Sequence, residues 1–375
     1  MVSGICPQSG RRLEIEVNAG VISSVREAPG AAGDLWVAPG LIDLQVNGFG
    51  GVDYNGPDTG VEDLADSIRQ LRATGVTRFF PTVITGPPEA MRGALRNLAR
   101  ARQVLAEGAS IAGFHLEGPF LSPDEGPRGA HPREHVRPPD GEEFLRLQEA
   151  AGGGIRLVTL APELPGAMPL IESLVRQGVV VGLGHTAASG QQIRDAIRAG
   201  AVLSTHLGNG CHSTLPRHPN YIWEQMAADE LYASLIVDGI HLPPSFVKCA
   251  VRAKGLDRIV LVTDATSPAN CRPGRYRLGD LEVELTSEQR VRIAGTDRLA
   301  GSALRMDRGV ENLIRFAGLT LEQALRAATV NPARVAGLSH RTRFLAPGEA
   351  ADLILFRWDA EAGRVMVEQT LIGEP

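Results

Sequence analysis

Residues 178–186 read GVVVGLGHT and residues 258–264 read RIVLVTD. Each is a short, almost unbroken apolar run that stops on an ionisable side chain, His185 in the first and Asp264 in the second. Strands covered by helices on both faces have this composition, because no alternate position needs to face water. Working outward, the same reading predicts eight strands: Leu41–Val46, Thr77–Val83, Ile111–Leu116, Ile155–Leu160, Val179–Leu183, Ala201–Thr205, Ala233–Val237 and Arg258–Thr263. Amphipathic stretches lie between them. Val61, Leu64, Ala65, Ile68 and Leu71 recur at helical spacing, as do Ile193 and Ile197 in a segment that opens on Ser189 and closes on Gly200. Strand-helix units repeated in order predict an α/β fold, a (β/α)8 barrel.

The two ends of the chain do not follow that rhythm. Residues 11–38 and 350–373 read as short strands with turns, which predicts a small β-sandwich assembled from both termini. The expected division is residues 1–38 and 348–375 for the sandwich and 39–347 for the barrel. Residues 273–298 alternate like a hairpin and form an excursion after strand eight. A chain of 375 residues suits a barrel of roughly 200–300 residues with an appendage better than one ordinary core.

A net charge of -5 argues against nucleic acid or an anionic membrane as the main partner. No apolar stretch approaches the ~18–20 residues of a membrane helix. The N-terminal MVSGICPQSGRRLEIEV lacks a basic start followed by an apolar run, and the four cysteines form no CxxC pair. Together these predict a reduced, cytoplasmic setting.

In such barrels the chemistry collects where strands finish. Here the ends carry Gln45 and Asn47, His115 and Glu117, His185, His206, Asp238 and His241, and Asp264. A lone loop histidine is usually a hydrogen-bonding surface residue, and Glu117 alone could cap a helix. The combination on successive strand ends points to a metal. Glu117, His185 and His206 are the expected ligands, two imidazoles and a carboxylate that leave one position open for water. Asp264 is then the natural proton carrier.

The ordered strings PGLIDLQVNGFGG, GFHLEGPF, GAHP, GLGHT, STHLGNG, VDGIHLP, LVTDAT and LAGSAL, followed by ATVNPARVAGL and GEAADL, resemble the N-acetylglucosamine-6-phosphate deacetylase family of the amidohydrolase superfamily. The resemblance covers roughly residues 38–355. It implies the barrel with its terminal β-domain, and metal-dependent removal of the acetyl group from a phosphorylated N-acetyl amino sugar. It implies Glu117, His185 and His206 as ligands of one divalent ion per subunit, zinc being expected and iron(II) or cobalt the alternatives. Asp264 would be the catalytic acid/base, and His131 of GAHP would help polarise the substrate carbonyl. Ala130, Asn209, Gly210, Arg217 and His241 would surround the sugar and its phosphate, with Leu299, Ala300 and Gly301 lining the pocket. An arginine at the place of Arg217 reaches a neighbouring subunit's site in that family, which implies a homodimer.

Two departures stand out. Many amidohydrolases carry H-x-H at the end of strand one as part of a second metal site. This chain has Gln45-Val46-Asn47, and neutral amides are poor ligands for a zinc-like ion, so one metal is expected. The family also carries an aromatic and Asn-Ala-Met after THL, where this chain has Gly208-Asn209-Gly210-Cys211-His212. Loss of bulk beside His206 predicts a looser pocket floor, with the backbone N–H groups of Asn209 and Gly210 still free for phosphate. Cys211 reads as a plain thiol. Two rival functions are an amidohydrolase acting on another N-acyl sugar or an N-acyl amino acid, and a non-catalytic barrel used for binding.

Overall fold

The computed structural model describes residues 1–29 and 33–373. Eight parallel strands follow one another around a sheet: Leu41–Val46, Val76–Ile84, Phe114–Glu117, Ile155–Leu160, Val180–Leu183, Leu203–Ser204, Tyr232–Ile236 and Ile259–Val262. The first strand is buried at every position, as its apolar reading requires. The ring closes where the first and eighth strands meet. Asp264 N–H donates to the Gln45 carbonyl at 3.0 Å and Asn47 N–H to the Ala265 carbonyl at 2.7 Å. This seam sets the Gln45 and Asn47 side chains beside Asp264.

Helices wrap the outside. Val61–Arg72 buries Leu64, Ala65, Ile68 and Leu71 against the barrel. Gly190–Ala199 starts with a capping box between Ser189 and Gln192 and stops at Gly200, whose φ of 110° suits a residue without a side chain.

Both termini build one six-stranded sheet, in the order Arg364–Leu371, Leu353–Asp359, Leu35–Pro39, Val2–Ile5, Arg12–Asn18, Val21–Glu27. Ile15, Ile22, Val37 and Leu353 form its core. Val2–Ile5, placed outside the expected strands, pairs antiparallel with Arg12–Asn18. It is four residues long, and its Gly4 lies close to Val37, a contact invisible to local patterning. The excursion after strand eight is a three-stranded antiparallel sheet, Gly274–Leu278, Leu281–Leu285 and Val291–Ile293, with an apolar core of its own. Ile84 and Ala130 pack against that core, so the excursion forms one wall above the barrel mouth.

Candidate active site

Glu117 ends strand three, while His185 and His206 follow strands five and six within two residues. Their donor atoms converge. Glu117 Oε1 lies 3.2 Å from His185 Nε2 and 2.9 Å from His206 Nε2, and the two nitrogens are 3.1 Å apart. His185 Nδ1 faces the Pro127 carbonyl at 2.8 Å, and an N–H placed there leaves the Nε2 lone pair aimed inward. Lone pairs crowded in this way repel unless a cation sits among them. The donor set fits a divalent metal, and all three residues are buried.

Asp264 stands across the mouth. Its Oδ1 accepts from Asn47 Nδ2 at 2.7 Å and from Gln45 Nε2 at 3.1 Å, and Gln45 Nε2 also donates to Glu117 Oε1 at 2.8 Å. The amides that replace H-x-H therefore hold the two carboxylates in place. Burial, reinforced by the Glu117 carboxylate, pushes the Asp264 carboxyl up to about 7. Burial would raise Glu117 too, but the adjoining His185 and His206 rings hold it well below the usual carboxylate range.

His131 brings its Nε2 to 3.3 Å from His185 Nε2. Burial and the neighbouring His185 push its ring down to about 3, so it is neutral at physiological pH. The backbone here is under strain. His185, His206 and Asp264 have φ of 51°, 32° and 51°, left-handed values that cluster where the surrounding structure forces them.

The sequence pattern of the amidohydrolase family matches residues 36–373. The chain belongs to this family. It is a hydrolase of amide C–N bonds. Among its relatives, N-acetylglucosamine-6-phosphate deacetylase of Danio rerio is 35% identical over 328 residues, 85% of this chain and 80% of that protein. N-acetylgalactosamine-6-phosphate deacetylase of Escherichia coli O157:H7 is 34% identical over 346 residues, 91% of this chain and 89% of that protein. The crystal structure of N-acetyl-D-glucosamine-6-phosphate deacetylase from Mycobacterium smegmatis superposes with a TM-score of 0.88 at 33% identity, covering 99% of this chain and 98% of that one.

In this amidohydrolase Glu117, His185, His206, Asp264 and His131 open into a cavity of about 510 Å3. Ala130, Asn209, Gly210, His241, Leu299, Ala300 and Gly301 line it as well. Arg217 does not. It lies exposed on the 213–219 loop, outside this cavity.

The loop after His206 corrects two expectations. A side chain at Gly208 would meet the Phe246 ring at 2.8 Å and Leu242 at 3.0 Å, so this part of the floor is filled rather than loosened. Asn209 N–H and Nδ2 both turn back to the His206 carbonyl, at 2.9 and 3.2 Å, which removes one of the two N–H groups expected to be free. Cys211 is half-buried with its thiol pushed up by burial, as a plain thiol should be.

Supporting residues also emerge that sequence reasoning missed. Asp238 pairs with His241 Nδ1 at 2.7 Å, and hydrogen bonds from His241 hold its carboxyl below the ordinary range against burial. That Asp-x-x-His spacing was a legible signal. Arg128 Nη1 donates to the His131 carbonyl at 2.7 Å and fixes the loop that presents this ring. Ile84 and Leu278 add an apolar wall.

Proposed function

We propose that this amidohydrolase removes the acetyl group from N-acetylglucosamine 6-phosphate, giving glucosamine 6-phosphate and acetate. The observation that carries the proposal is the convergence of Glu117, His185 and His206 opposite a buried Asp264, in a chain matched almost end to end by sugar-phosphate deacetylases.

One divalent ion, zinc in this reading, would be held by Glu117, His185 and His206, supplying Lewis acidity toward a water and the amide carbonyl. Asp264, steadied by Asn47 and Gln45, takes a proton from the attacking water. It returns the proton to the sugar nitrogen as the C–N bond breaks, which avoids expelling an amide anion. Burial, which raises its carboxyl, favours its taking up the proton. His131, neutral and held beside the ligands, donates a hydrogen bond to the carbonyl oxygen as negative charge develops there.

His241, with one ring nitrogen tied to Asp238, presents its other face to the sugar, and Gly210 N–H contributes toward the phosphate. Ala130, Asn209, Leu299, Ala300 and Gly301 shape the walls. Arg217 would complete phosphate binding in the site of a second copy, which makes the working form a homodimer. The compartment is cytoplasmic in this reading. Among the described residues no helix is long and apolar enough to cross a membrane. In this reading the domains divide at residues 38/39 and 347/348, the first boundary falling one residue before the end of the terminal-sheet strand Leu35–Pro39.

The test is hydrolysis of N-acetylglucosamine and N-acetylgalactosamine, each with and without the 6-phosphate, by zinc-loaded protein. The proposal expects the highest kcat/KM for N-acetylglucosamine 6-phosphate. A preference for the galacto epimer would reassign the sugar. No cleavage of any of the four would refute the function.

A further inference from the structure

A second polar recess lies on the opposite face of the barrel. It is lined by Arg78, Arg102, Gly108, Ala109, Ile111, Ala112, Leu338 and Arg341 and has a volume of about 350 Å3. Arg78 sits near the start of strand two, whereas Ile84 at its far end lines the active-site cavity, a separation of roughly 20 Å along an extended strand.

Among the described residues the charges in this recess do not balance. Asp352 is the carboxylate that meets them, accepting from Arg78 Nε at 2.8 Å and Arg78 Nη2 at 2.9 Å, and from Arg341 Nε as well. Arg78 is otherwise satisfied by the carbonyls of Ala109 and Gly373. Arg102, from helix Pro88–Val104, has no hydrogen bond or ion pair among the described residues, and one carboxylate faces three guanidiniums. Arg102 lies exposed at the rim of the recess, where partial burial of its guanidinium and then the nearby Arg156 act against its charge. This local positive excess occurs in a chain of net charge -5. Guanidiniums fixed by Asp352 and backbone carbonyls are pre-organised, and a cavity of this size takes a small anionic molecule.

We infer that the recess formed by Arg78, Arg102 and Arg341 binds a phosphate group, carried by inorganic phosphate or by a small phosphate monoester. The free guanidinium of Arg102 provides the planar pair of donors that a phosphate accepts. Arg341 adds a second cation beside it.

The experiment is arginine modification by phenylglyoxal on the metal-loaded full chain, mapped by peptide mass spectrometry. The exposed Arg198 serves as internal control. Phosphate at about ten times its Kd should slow modification of Arg102 about tenfold while leaving Arg198 unchanged. Protection by inorganic phosphate and also by glucose 6-phosphate would show that a monoester is accepted; protection by phosphate alone would restrict the site to the free ion. The variant Arg102→Gln should show a smaller phosphate-dependent rise in Tm than the parent, with unchanged kcat. Equal modification rates with and without both ligands would overturn the inference. So would an Arg102 already unreactive without ligand and freed by Glu374→Gln, since the chain's own acid would then fill the recess.

Discussion

The side-chain amide of Gln45 donates to Glu117 Oε1 at 2.8 Å. The same nitrogen lies 3.1 Å from Asp264 Oδ1, so one neutral donor stands between two buried carboxylates. An imidazole at position 45 would be a ligand for a second cation. The amide instead separates the negative charges and leaves Glu117 to the two histidines.

Replacing that donor should weaken the metal centre. Gln45→Leu removes the hydrogen bond to Glu117 and keeps the bulk, and metal affinity is expected to fall about 10–100-fold. Competition with a chromophoric chelator measures it. Unchanged affinity would mean that Gln45 serves only Asp264.

Asp264 should behave differently. Asp264→Asn retains shape and a hydrogen-bonding oxygen but cannot carry the proton, so kcat should drop about 10²–10⁴-fold. The metal content of the purified variant should match the parent by elemental analysis. A variant that loses its metal would place Asp264 among the ligands instead.

Gly210 tests the floor of the cavity. Its φ is 55°, and an added Cβ would meet the His185 ring at 2.7 Å. Gly210→Ala should cost about 1–3 kcal/mol of stability through backbone strain alone. It should also lower metal affinity, because His185 is displaced. Thermal unfolding with and without a chelator separates the two effects: strain persists in the metal-free protein, and the ligand effect does not.

Asp43 supplies a pH signature independent of the metal. It is fully buried, accepts from Thr263 Oγ1 at 2.6 Å, and burial pushes its carboxyl up to about 7. The folded protein therefore keeps a proton that the unfolded chain releases near 3.8. That preference is fully present below the unfolded value. It is lost as pH rises toward 7, at about 1.4 kcal/mol per pH unit. Asp43→Asn carries no such proton, so its urea-derived stability relative to the parent should improve by about 2–3 kcal/mol between pH 5 and 7. Parallel stability curves would exclude the mechanism.

Much of this was legible because it is local. Leu41–Val46 and Ile155–Leu160 read as strands and are strands over those same residues, since continuous apolar runs leave few alternatives. Glu117, His185 and His206 were found by position, because a barrel brings successive strand ends to one place. What escaped depends on distant neighbours. The Phe246 ring beside Gly208 comes from the next helix but one. The Pro127 carbonyl that faces His185 is main chain and leaves no mark on residue type. The Ala201–Thr205 run shortens to a two-residue strand, because His206 N–H turns to the Ser234 hydroxyl and leaves the ladder.

The seam between the first and eighth strands has a consequence for how the protein matures. Asn47 and Asp264 are 217 residues apart in the chain, yet their contact at 2.7 Å exists only when the sheet has joined into a ring. A partly built barrel, strands three to six, can gather Glu117, His185 and His206 and so bind a cation early. The proton carrier would still lack its anchor. Metal uptake and turnover should thus appear at different moments during refolding, with hydrolysis reporting that the last gap has shut.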